Sequence, residues 1–111
     1  MKEPDKPGRP VVNSVKGRQV TIGWTPPDGH SRSQFIQYII YYSSVDMDLE
    51  SFVKPRIAGR SRSCTCTFSK LLKFNRMCKF AVAAENKSGI GPLSEFSECV
   101  KTPTHRGKNI K

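Results

Sequence analysis

Eight cations and no carboxylate occupy the stretch from Ser51 to Ala84: Lys54, Arg56, Arg60, Arg62, Lys70, Lys73, Arg76 and Lys79. Guanidinium and ammonium groups at that density attract anions, whether an acidic glycan of the heparin type, a nucleic acid or an anionic membrane surface. Lys54, Arg56, Arg60, Arg62, Arg76 and Lys79 form the candidate binding set. The reading places Lys54 and Arg56 on a sheet edge, Arg60 and Arg62 in a following turn, and Arg76 and Lys79 on or near the outer face of one strand. The plain alternative is a solvated charged face. Nucleic acid is disfavoured, because "KPRIAGRSRS" interleaves no stacking aromatics with its basic residues and no groove-reading helix is evident. "RSRS" at Arg60–Ser63 is also a short match to a basic-directed phosphorylation target, where a phosphate would pair with its neighbouring arginines.

The thiols are the second source of chemistry. Cys64, Cys66, Cys78 and Cys99 have a spacing that matches no recognised zinc motif. Small buried thiols are the favoured reading. A disulfide from Cys78 to Cys64 or Cys66 is the alternative and would suit an extracellular setting. Catalysis has little to draw on. His30 falls in a loop and His105 in a tail. No Ser/His/Asp order, paired carboxylate or phosphate-cradling glycine loop is present, so neither an enzyme nor a cofactor or metal is expected.

Positioning these groups falls to strands. The 111 residues suffice for one domain and its own core, and the net charge is +10. No apolar run reaches the length of a membrane span, and "MKEPDKPGRP" contains no apolar leader segment. Residues 1–8 read as a linker, 9–103 as the folded domain and 104–111 as a basic tail.

Period-two alternation runs through the chain, and no helix-length stretch has period 3.6. "VTIGW" puts Val20, Ile22 and Trp24 on one face. "FIQYIIYYSS" puts Ile36, Tyr38, Ile40 and Tyr42 on one side, and Phe35, Ile39 and Tyr41 on the other. "SFVKPRI" reads as an edge strand because Pro55 interrupts it. "RSCTCTF" aligns Cys64, Cys66 and Phe68. "MCKFAVAAEN" turns Cys78, Phe80, Val82 and Ala84 inward. "SEFSECVKT" is the final strand. With "RPVVNSV" the count is seven, separated by turn signals, as in an antiparallel sandwich. The alternation leaves Ile39, Tyr41, Met77, Ala81 and Ala83 on an outer face. Such an apolar patch rimmed by lysines is a candidate docking surface for a partner or a neighbouring module.

Trp24 followed by Pro26-Pro27, Tyr38 in the next strand, Leu71 or Leu72 before a turn, and "FAVAAENKSGIGPLS" resemble the fibronectin type III module. The matching positions in the last stretch are Phe80, Val82, Ala84, Asn86, Gly89 and Ser94. The resemblance implies an all-β, seven-stranded immunoglobulin-like sandwich, with Trp24, Tyr38, Leu72, Phe80, Val82 and Asn86 in structural roles. The family's tyrosine two residues before Phe80 is replaced by Cys78. A thiol is a poor donor and too short to span that corner, so a rearranged turn is expected, with Phe74 filling the vacated volume. The integrin-binding tripeptide of some members reads Lys87-Ser88-Gly89 here, so that activity does not carry over. Asn86 opens a glycosylation sequon, though a structural asparagine with a tucked side chain is preferred.

The resulting expectation is a non-catalytic interaction or spacer module of a longer scaffold or adhesion protein. Polyanion binding through residues 54–79 is the alternative. Its partners would be another protein or neighbouring module, or an acidic glycan, without membrane insertion. Unpaired cysteines favour an intracellular setting, and a cell-surface protein is the alternative.

Overall fold

Alternating β-branched and aromatic residues cannot bury one face of a lone strand, so they pair into sheets that cover each other. The computed structural model describes residues 3–17, 19–28, 34–46, 54–69 and 76–102. Its strands are β1 (Val11–Lys16), β2 (Gln19–Gly23), β3 (Phe35–Asp46), β4 (Arg56–Ser61), β5 (Thr65–Phe68), β6 (Arg76–Asn86), β7 (Gly89–Ile90) and β8 (Val100–Lys101). One sheet has the order β1-β2-β5; the other has β4-β3-β6-β7, with β8 also on β6. All pairings are antiparallel.

The core forms where the two inner faces meet. Val20, Ile22, Trp24 and Phe68 from one sheet pack with Tyr38, Ile40, Cys78, Phe80, Val82 and Ala84 from the other. Cys64 and Cys66 pack against this cluster, on the same side of β5 as Phe68. Trp24 and Tyr38 meet edge to face at 5.4 Å and 77°. Phe68 stacks on Phe80 at 5.5 Å and 1°. Both geometries suit the ring quadrupole, and such pairs add about 0.5–1.5 kcal/mol beyond area burial.

Three local expectations are corrected. The alternation placed Ile36 inward and Phe35 outward. Instead Phe35 packs against the core, 4.7 Å from the Tyr38 ring. A register shift between Phe35 and Gln37 reverses the phase there, as an inserted residue must when the side-chain period is two. Next, the edge strand begins after Pro55, so Arg60 lies in β4 rather than in a turn. Finally, "SEFSECVKT" does not form a continuous strand. Among the described residues, regular pairing after Asn86 is confined to β7 and β8, so the last expected strand is represented by two short segments.

Between β7 and β8 the chain still tracks β6. Backbone N–H groups of Gly91, Ser94 and Ser97 donate to the carbonyls of Ala84, Val82 and Phe80, and just past β8 that of Thr102 donates to Arg76 O. Successive partners are two residues apart on β6, from Ala84 to Val82 to Phe80. They are three apart on the facing segment, from Gly91 to Ser94 to Ser97. The surplus residues prevent a regular ladder, in the manner of successive bulges.

Residues 5–8, expected as linker, also engage the sandwich. Pro7 is buried, and the Gly8 N–H donates to Thr25 O at 3.0 Å. Leu71, Leu72, Phe74, Lys70, Lys73, His30 and His105 lie outside the described residues, as does the turn expected to rearrange beside Cys78.

Candidate functional site

The candidate cations divide between two strands that are not neighbours. Lys54, Arg56, Arg60 and Arg62 are exposed just before β4, along it and in the turn after it. Arg76 and Lys79 are half-buried on β6, with β3 in between. Even within β4 the cations diverge. Arg56 pairs in register with core-facing Tyr42, and Arg60 with outward-facing Ile39. The single patch expected from the sequence is therefore a cationic sheet edge plus two separate residues.

Local contacts occupy some of these cations. Arg62 Nη1 donates to Ile36 O at 3.0 Å. Lys79 Nζ lies 4.7 Å from the centroid of the Phe96 ring, a cation–π contact. The turn between β4 and β5 is held by the Ser61 hydroxyl. It accepts from the Ser63 N–H at 3.1 Å and lies 3.0 Å from the Thr65 carbonyl, to which it donates.

The expected outer-face patch is largely covered. Ile39, Ala81 and Ala83 are only 2%, 0% and 1% exposed, which corrects their reading as surface. Register explains it: Ile39 faces Ala83, Tyr41 faces Ala81, and Arg60 stands beside Ile39. Two alanines among longer side chains lie too low to meet solvent. Tyr41 and Met77 are half-buried, and Ile57, opposite Tyr41, is 46% exposed.

Cys64, Cys66, Cys78 and Cys99 are free thiols. Burial pushes the Cys78 thiol up to about 11, opposed by the charge of Arg76 and assisted by Cys99. Burial also raises Cys66, against a hydrogen bond from the Thr67 backbone. Thiols held protonated are weak nucleophiles and poor metal ligands. Cys64 Sγ donates to Tyr38 Oη at 3.5 Å. Burial, then this contact, holds the Tyr38 phenol well above its ordinary range.

The Asn86 side chain is tucked: its Oδ1 accepts the Ser88 N–H at 2.8 Å and shapes the turn into β7. An open cleft of about 540 Å³ lies beside this pole, with Asp5, Pro7, Thr25, Asp28 and Pro92 on its walls. Among the described residues, no group of three or more His, Cys, Asp or Glu could hold a metal ion. No helix in the described residues is long and apolar enough to cross a membrane.

With this geometry in view, comparisons with known proteins agree on one family. The model of the fibronectin type III domain matches residues 5–100. Neural cell adhesion molecule L1 of Takifugu rubripes is 28% identical over 101 residues, covering 90% of this chain and 8% of that protein. Titin of Drosophila melanogaster is 29% identical over 101 residues, covering 91% of this chain and a share of titin that rounds to 0%. The chain thus spans 8% or less of the length of these two relatives. Among solved structures, titin kinase with its flanking domains superimposes with a TM-score of 0.76 at 28% identity, covering 92% of this chain and 18% of that one.

Proposed function

The chain belongs to the fibronectin type III family, and from that premise we propose that it serves as a non-catalytic spacer and interaction module within a longer protein. One observation carries this reading: the described chain begins and ends at opposite poles of the sandwich. Glu3 and Pro4 lie against Gly89 and Gly91 at the end of β6 where Asn86 stands. Thr102 pairs with Arg76 at the other end of β6. The 11 residues of β6 span about 36 Å at ~3.3 Å each. A module of this form holds the neighbours at its two ends apart.

The remaining features support the same reading. The inner faces are filled by side chains, so chemistry is confined to strand edges, loops and the outer face. Tyr41, Met77 and Ile57 supply apolar contact area on that face. The similarity to an adhesion molecule and to titin supports a multidomain setting. The free thiols favour a reducing compartment.

A string of reference domains with and without one inserted copy tests the spacer reading by small-angle scattering. Insertion is expected to add about 36 Å to the maximum dimension. An increase below about half that value would mean that the module folds back beside its neighbours, and would overturn the reading.

A further inference from the structure

We propose that the open edge of β4 binds an acidic, extended peptide segment of another protein, which adds to the sheet as a further antiparallel or parallel strand. The proposal rests on the interaction-module reading and names the surface and the partner's chemistry. Among the described residues β4 is the terminal strand of its sheet, so one row of its backbone groups faces away from β3. Backbone groups presented in this way are a template for another strand.

Charge distinguishes this edge from the others. β1 carries Lys16 alone and exposes Val11 and Val15; β5 carries no charge; β7 has two residues. Along β4 and its flanks, Lys54, Arg56, Arg60 and Arg62 are all exposed. Lys54, Arg56 and Arg60 have no carboxylate partner among the described residues. Edge strands carry such charges, together with bulges, to stop copies of themselves from pairing. β4 has both devices, because its register against β3 shifts at Ala58. Against a second copy the cations repel. Against an acidic strand the same cations attract, so the edge is selective rather than closed.

The side chains define the preferred sequence. Ile57 and Arg60 share the outer face through their partners Tyr41 and Ile39, and Arg56 belongs to the opposite face at the strand's end. A segment alternating acidic and apolar residues sets an apolar side chain against Ile57 and Tyr41 and carboxylates against Arg56 and Arg60.

The test titrates the ¹⁵N-labelled chain with a capped peptide of about ten residues alternating Glu and Val. Three probes accompany it: the same peptide N-methylated at alternate amides, a heparin-type oligosaccharide of equal charge, and the R56Q/R60Q variant. Expected are shifts and slowed amide exchange along Arg56–Ser61. N-methylation and the double substitution should each weaken binding by about tenfold or more. Both arginines are exposed, and native Trp24 fluorescence checks the variant's fold. Unchanged binding of the N-methylated peptide would overturn strand addition. Equal binding of the oligosaccharide at the same residues would replace the proposal with a general polyanion surface. Absence of shifts on β4 would also overturn it, while leaving the spacer reading to the scattering experiment.

Discussion

Val82 and Ser94 close a ring in which a side chain replaces half of a strand ladder. The Ser94 N–H donates to Val82 O at 2.8 Å, and the Val82 N–H donates to Ser94 Oγ at 2.9 Å. Ser97 repeats the device on Phe80, at 2.7 and 3.0 Å. Thr102 repeats it on Arg76, at 2.8 Å in both directions. Each hydroxyl acts as the acceptor that the irregular segment's own carbonyl cannot be, and all three residues are buried.

Replacing Ser94 or Ser97 by Ala therefore leaves a buried β6 amide without its acceptor. The expected loss is about 1–3 kcal/mol for each, read from urea midpoints. Amide exchange should accelerate at Val82 in the first variant and at Phe80 in the second. Unchanged midpoints and exchange would mean that water takes over the hydroxyl's place.

Gly91 and Gly8 make a contrasting pair. A Cβ on Gly91 would collide with the backbone carbonyl of Pro4, whereas one on Gly8 would meet the Thr25 hydroxyl. A hydroxyl can rotate and a packed backbone must move. Gly91→Ala is expected to cost about 1–3 kcal/mol and to open residues 3–8 to proteolysis. Gly8→Ala should cost less by the same denaturation measurement.

Stability should fall in alkali. The folded Cys78 thiol is pushed up to about 11 from a reference of 9.0. Between those values the unfolded chain has released a proton that the folded chain retains. The stabilisation is complete below about pH 9 and declines as pH rises, by at most ~1.4 kcal/mol per unit. Tyr38, also shifted upward, adds to the decline above about pH 10. Denaturation midpoints between about pH 7 and 10.5 check this, and Cys78→Ala should flatten the first part of the slope.

The Lys79–Phe96 contact joins β6 to the irregular segment. A double-mutant cycle with Lys79→Gln and Phe96→Leu should give a coupling of about 0.5–1 kcal/mol. Strict additivity would show that the ammonium gains nothing from the ring.

Alternation alone determined which of Val20, Ile22, Trp24, Phe80, Val82 and Ala84 face inward, because side chains on a strand have a period of two and water is excluded from one side. Residue types at fixed spacing also revealed the fold family and the turn role of Asn86. Period says nothing about where an extra residue enters, so the phase reversal at Phe35 and the broken ladder after Ile90 came only with strand pairing. Nor does it measure height above a sheet: Ile39, Ala81 and Ala83 do face outward, yet their cross-strand neighbours cover them. The cations were visible as a run in the sequence. Their division between β4 and β6 was decided by sheet order, which puts β3 between two segments that charge alone had grouped together.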